Sequence, residues 1–186
     1  MDRSPLFDLI ELLEDPAEAL MGAGNGVKAL LQSHYFEKNA AEPNRLGGKR
    51  QNFWADVARS VRGPVSEGAK VKVEITHVGI RQKIEGGTIK AKRYKHLAIP
   101  IHPDAYGMFV RPFERETGIK LFFLELNKNK FFAAKTENRL TLYYVLKEQV
   151  TQKPWPGSLP ERQQITEAAH KGAAEVVLLA VSEASA

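Results

Sequence analysis

The chain contains no cysteine among its 186 residues. This absence excludes disulfide bonds, thiolate metal sites and cysteine nucleophiles, and it fits assembly in a reducing cytoplasm. Long apolar runs are missing too, since none approaches the roughly 20 residues that cross a bilayer. The longest candidate, Ala173 to Val181, is interrupted by Glu175. We therefore expect no membrane contact.

The remaining composition is typical of a globular protein with a hydrophobic core. Hydrophobic residues make up 43% and charged residues 26% of the chain, and its length suits one domain. The net charge of +5 is unevenly distributed, because the stretch from Arg45 to Lys95 holds 13 Lys and Arg against 4 Asp and Glu. A basic centre indicates a nucleic-acid surface, a face that meets an acidic neighbour, or a solvated surface without a partner.

The pattern of apolar residues predicts one α+β domain over residues 1–186, with a mainly antiparallel sheet flanked by N-terminal helices and a C-terminal helix. Residues 1–40 form the helical N-terminal region, which begins with an amphipathic helix at 5–13. Residues 41–152 hold the sheet, and 153–186 form a proline-rich connector and a closing helix.

The helical region contains a run of glycines, Gly22, Gly24 and Gly26. Because glycine costs about 1 kcal/mol in a helix interior, this run is expected to weaken or interrupt the helix. A short helix over 53–61 is expected to end at Gly63-Pro64. The predicted strands are 69–76, 97–101, 120–126, 130–134 and 140–147, with Asn127-Lys128-Asn129 joining the third and fourth as a hairpin.

The sequence contains no strong candidate for a catalytic, metal or cofactor site. His96 and His102 bracket a predicted strand and could meet at a metal, but no histidine pair is spaced with an acidic third ligand, and surface histidines are favoured. The stretch Gly22 to Lys28 resembles a phosphate loop. It does not follow a strand, however, and Ala29 stands where that motif needs Ser or Thr. We therefore predict a protein that is not an enzyme and binds no cofactor or metal.

The most polar segment is 81–96, which holds six basic residues and Glu85 between Arg81 and Lys95. Its central Gly86-Gly87 pair predicts a projecting loop. The candidate contacts to a neighbouring subunit or to DNA are Arg81, Lys83, Lys90, Lys92, Arg93 and Lys95. Phosphate contacts need only cationic side chains, so the charge alone does not distinguish the two partners. An inert, solvated loop is the alternative interpretation.

Several stretches, taken in order, resemble one protein family. They are Phe36 to Asn39, Gly47 to Ser60, His77 to Ile89, Leu97 to Gly107 and Tyr144 to Pro160. The series resembles the phage virion morphogenesis family, the tail-completion proteins of Mu-type and related tailed phages. The resemblance extends from about Leu30 to Ala174, and no single motif in it is catalytic.

The resemblance implies a structural subunit of the virion that is assembled in the host cytoplasm and forms a ring, the tail terminator or a neighbouring neck component, where head meets tail. The implied partners are further copies of the chain, six for a sixfold tail, the tail tube protein and the head connector or stopper protein. DNA would pass through the lumen without sequence-specific binding. Two alternatives stay open, a small basic DNA-binding protein and an enzyme of unknown type.

Overall fold

A computed structural model describes residues 16–42, 46–47, 51–136 and 139–184. The helices are α1 (Ala17–Ala41), α2 (Phe53–Arg59), α3 (Ile80–Glu85), α4 (Val110–Thr117) and α5 (Arg162–Ala184), with a 3-10 turn at Pro103–Ala105. The strands are β1 (Val61–Glu67), β2 (Lys70–Ile75), β3 (Gly87–Lys90), β4 (Leu97–Pro100), β5 (Phe122–Leu126), β6 (Asn129–Thr136), β7 (Arg139–Lys147) and β8 (Gln149–Gln152). Every strand pair in these ranges is antiparallel, which confirms the predicted α+β class. The helix predicted at 5–13 lies outside the described residues.

The described residues form two compact units, each assembled from separate stretches of sequence. The helical unit takes 16–41, 53–84 and 155–184, and the sheet unit takes 85–154 with the described part of 42–52. Helices α1 and α5, which stand near the two ends of the described residues, belong to the same unit. The sheet unit contains the four-stranded sheet β4-β7-β6-β5 and the separate two-stranded sheet β3-β8.

Helix α1 continues unbroken through its three glycines, so the predicted interruption is wrong. A Cβ atom on Gly22 or Gly26 would collide with backbone atoms of Gly172 or Ala168 in α5. Gly22 and Gly26 are four residues apart and therefore share a helix face. The missing side chains let the two helix backbones approach closely, and this packing offsets the low helix propensity of glycine.

Gly24 faces the opposite side of the same helix, because two residues along an α-helix correspond to a rotation of about 200°. A Cβ atom there would lie 2.5 Å from Cβ of Pro64 and 2.6 Å from Cγ1 of Val71. Both neighbours belong to the β1–β2 hairpin. The glycine run thus allows a close approach to α1 on two faces, by α5 on one and by the hairpin on the other.

The core of the helical unit lies further along α1, where Tyr35 stacks on Trp54 with ring centroids 5.8 Å apart. The buried members of this core are Leu31, Tyr35, Trp54, Val57, Ala58, Val61 and Ile80. The predicted short helix is present as α2, but Gly63-Pro64 lies inside β1 instead of ending the helix. The register of β1 against β2 shifts between Arg62 and Val65, so a bulge accommodates the pair.

The predicted strands of the sheet unit are confirmed, including the hairpin between β5 and β6. Its two turn residues, Asn127 and Lys128, have φ values of 49° and 64°, as a tight hairpin turn requires. Helix α4 was not predicted. Its end at Gly118, with φ of 72°, was a readable C-cap signal.

Helix α4 covers one face of the four-stranded sheet through its buried residue Phe113. The ring of Phe113 lies 4.9 Å from the ring of Tyr143 and 6.0 Å from that of Tyr144. The two tyrosines are consecutive, and a regular strand would point them to opposite faces. A register shift in the pairing of β6 with β7 at this point lets both rings contact Phe113.

Replacing Gly26 with Ala tests the helix contact, because the contact decides whether the free energy of unfolding rises or falls. In an ordinary helix interior this change stabilises by about 1 kcal/mol. Here we expect destabilisation by about 1–3 kcal/mol, because the new methyl group overlaps the Ala168 carbonyl. Urea unfolding gives the free energy. The control is Asn25→Ala, one residue away and exposed, which should be neutral or stabilising. A stabilised Gly26→Ala protein would contradict the close contact.

Candidate interaction surfaces

The segment Trp155–Ser158 of the predicted connector is held against α1 by three successive carbonyl groups. The side chain of Lys38 donates to the carbonyl oxygen of Pro156 (3.0 Å), and the Nε2–H of His34 donates to that of Gly157 (2.9 Å). The hydroxyl of the buried Tyr35 donates to the carbonyl oxygen of Ser158 (3.0 Å). The segment is therefore bound to α1, but the predicted extended conformation is wrong here. The N–H of Ser158 donates to the carbonyl oxygen of Trp155 (3.1 Å) and Gly157 has a φ of 63°, so residues 155–158 form a tight turn.

Lys83 is part of the same arrangement, although its charge suggested an outward-facing contact. Its ammonium group lies 4.0 Å from the ring centroid of Trp155 and 5.7 Å from that of Phe53. Its backbone carbonyl accepts a hydrogen bond of 2.7 Å from the N–H of Trp155. A cation over an aromatic face is attracted by the ring quadrupole, so Lys83 stabilises the position of Trp155 in the connector.

The predicted basic loop at 81–96 is not a single loop. Arg81 is exposed and lies with Lys83 on helix α3 of the helical unit, while Lys90 ends strand β3 of the sheet unit. The other three candidates, Lys92, Arg93 and Lys95, are exposed in the irregular stretch 91–96 that follows β3. The structure thus groups four of the six candidate residues.

Strands β3 and β8 form a two-stranded ribbon beneath this stretch. The hydroxyl groups of Thr88 and Thr151 are hydrogen bonded across the ribbon at 2.9 Å. The N–H of Ala91 donates to the carbonyl oxygen of Glu148, which continues the pairing one step beyond the ribbon. Tyr94, at the centre of the basic stretch, is 69% exposed. We call this ribbon and residues 91–96 the basic ribbon.

Strand β5 is an edge of the four-stranded sheet and carries unusually exposed apolar side chains. Phe122 is 44%, Phe123 53% and Leu126 49% exposed. The strand was expected from the sequence, but its exposed apolar surface was not. The signal was present, because Phe122, Phe123 and Leu124 are consecutive and break the alternation expected of a strand with one solvated face.

Of the two histidines considered as metal ligands, His102 has other contacts. Nδ1 of His102 accepts a hydrogen bond from the N–H of Asp104 (3.3 Å), and its ring lies 4.7 Å from that of Tyr143. Within the part of the chain that the structure describes, no group of three His, Asp or Glu side chains is arranged to hold a metal ion. Across the same residues, no helix is both long and apolar enough to cross a bilayer.

No family model, curated protein or solved structure matches the chain. The resemblance to the phage virion morphogenesis family therefore stays a prediction.

The two buried tyrosines predict an alkaline loss of stability. Burial raises the pKa of Tyr35 from 10.0 to about 12, and burial with the nearby Glu114 carboxylate does the same for Tyr144. Below pH 10 both phenols are neutral in the folded and the unfolded chain, and their contribution to stability is complete. Between pH 10 and about 12 the unfolded chain ionises first, so the free energy of unfolding falls.

The double variant Tyr35→Phe, Tyr144→Phe should lose less stability over this pH window, as measured by urea unfolding at successive pH values. At neutral pH each change should cost about 1 kcal/mol, because a hydroxyl that donates to a buried carbonyl is removed. Tyr94→Phe, at an exposed ring, is the control and should change neither quantity. An unaltered alkaline slope in the double variant would contradict the assignment.

Proposed function

We propose that this chain is a structural virion subunit that joins copies of itself into a ring at the head–tail junction of a tailed phage. The ring would complete the tail tube and connect it to the head. The observation that carries assembly is the open, aromatic edge of strand β5. The phage setting is supported by the ordered series of family-like segments between Leu30 and Ala174.

The backbone of β5 offers hydrogen-bonding groups along its open side. A tight two-residue turn closes with a bond between the residues that flank it, here Leu126 and Asn129, so Leu126 faces β6. Residues of an antiparallel strand alternate in this respect, and Phe123 and Glu125 therefore direct their N–H and C=O groups to the open side. At the start of the strand, the N–H of Leu121 is bound by the Glu114 carboxylate (2.9 Å).

The side chains of β5 favour association at this edge. Soluble proteins protect edges with proline, inward-pointing charges, bulges or short strands. The opposite edge, β4, follows that rule, since it has four residues and ends at Pro100. Strand β5 has five residues without proline or glycine, and two adjacent phenylalanines about half exposed. Such an edge is suited to pairing with a strand or an extended segment of a second subunit.

The pairing also bears on the symmetry of the assembly. If β5 met β5 of a second copy, the contact would be isologous and would close as a dimer. In a ring, β5 of one copy meets a different surface of the next copy. Each copy then uses both surfaces, so the same contact repeats around the ring. We propose this head-to-tail contact. The neighbours in such a ring bury Phe122 and Phe123 at every interface.

The test measures the mass of the purified chain by native mass spectrometry, alone and with purified tail tubes. We expect ring-sized assemblies or binding to the tube end, and Phe123→Lys should reduce either by at least tenfold, since it puts a charge on the pairing edge. Phe109→Lys is the matched control, because Phe109 is an 84% exposed phenylalanine outside the strands.

Thermal unfolding of both variants checks that each remains folded. A wild-type chain that stays monomeric and joins neither tubes nor connectors would overturn the ring. An equal loss of assembly in the two lysine variants would instead remove β5 from the interface.

A further inference from the structure

The basic ribbon concentrates positive charge that the protein itself does not neutralise. Lys90, Lys92, Arg93 and Lys95 are all exposed, and none of their side chains has an ion pair or hydrogen bond with another residue in the described ranges. Lys147 and Lys153 flank strand β8 and are exposed as well. Over residues 86–96 and 147–153 the sequence holds six basic residues and one acidic residue, Glu148. A surface of this kind attracts a polyanion.

The other side chains of the basic ribbon favour a nucleic acid over an acidic protein. The core of a protein interface is apolar and depleted of charge. Here the apolar side chains of β3 and β8 are only Ile89 and Val150, and their neighbours are Thr and Gln. Interfaces with nucleic acids are more polar and far more positive, and hydroxyl and amide groups bind phosphate oxygens there alongside Lys and Arg.

We infer that the basic ribbon binds the phosphate backbone of DNA without reading its sequence. A two-stranded ribbon is narrow enough to enter the major groove. The four cations at its end, within six residues of chain, would lie against phosphates, with the hydroxyl and amide groups of the strands beside them. The exposed ring of Tyr94 is positioned to stack on an unpaired base where a strand is open. This inference does not depend on the proposed ring, because it concerns a surface of the single subunit.

The experiment measures binding of the full chain to a fluorescent duplex of arbitrary sequence, by anisotropy, over a salt series. Each phosphate contact contributes about 0.9 to the slope of log K against log salt. Four contacts therefore predict a slope of about −3.6 and a loss of affinity of about a hundredfold between roughly 50 and 200 mM salt. Changing Lys90, Lys92, Arg93 and Lys95 together to Gln should remove most of that slope.

The matched control changes four other exposed residues of the same kinds, Lys70, Lys120, Lys135 and Arg115, to Gln. It lowers the net charge equally, so retained binding in the control and lost binding in the ribbon variant would place the contact on the ribbon. An equal loss in both variants would mean attraction to net charge alone and would overturn the inference. Binding of poly-glutamate as tight as that of the duplex would also overturn the inference, because the partner would then be an acidic protein surface.

A single-stranded probe and Tyr94→Ala separate the two parts of the proposed contact. The variant should bind duplex as well as the wild type but lose about fivefold to a hundredfold on single strands, because the stacking of a base on the aromatic ring is removed. Native mass measurement of the Gln variants keeps the outcomes distinct. Lost DNA binding with intact assembly supports the ribbon as a DNA surface. Retained DNA binding with lost assembly would place the ribbon at a contact between subunits and would overturn the inference.

Discussion

The helical unit depends on one contact, the close approach of helices α1 and α5 at Gly22, Gly26 and Gly172. Their backbones are too near for even a single methyl group at these positions. The glycines that make α1 a weak helix in isolation therefore make it a strong packing element in the folded chain. On its other side, Gly24 admits the β1–β2 hairpin. Helices α1 and α5 stand far apart in the sequence, so the contact between them is a long-range one.

The connector before α5 is also bound to α1. Three side chains of α1 bind three consecutive carbonyl groups, and Lys83 lies over the ring of Trp155. Prolines limit the alternative conformations of this segment, so less entropy is lost when it binds. Lys83 illustrates a general difficulty with charge counting. A lysine in a basic stretch of sequence is bound to the protein's own aromatic residues, while Lys90, seven positions later, is exposed on the basic ribbon.

The sheet unit presents two surfaces of opposite character. The β5 edge is apolar and offers unpaired backbone groups, as suits a contact between subunits. The basic ribbon is polar and positively charged, as suits a phosphate backbone. A subunit of a ring around DNA needs both kinds of surface, one for its neighbours and one for the polymer, and the two proposals are compatible without depending on each other.

The sequence by itself determined the α+β class, the helix α5 and the strands β2, β4, β5, β6 and β7, because local periodicity and turn residues such as Asn127 decide these elements. It also determined where positive charge is concentrated. Only the tertiary structure decided that Gly22 and Gly26 join two helices, that consecutive Tyr143 and Tyr144 face one ring, and that β3 pairs with β8 some 60 residues later. These are contacts between distant parts of the chain, and no local pattern encodes the partner that makes a glycine, a bulge or a strand edge favourable.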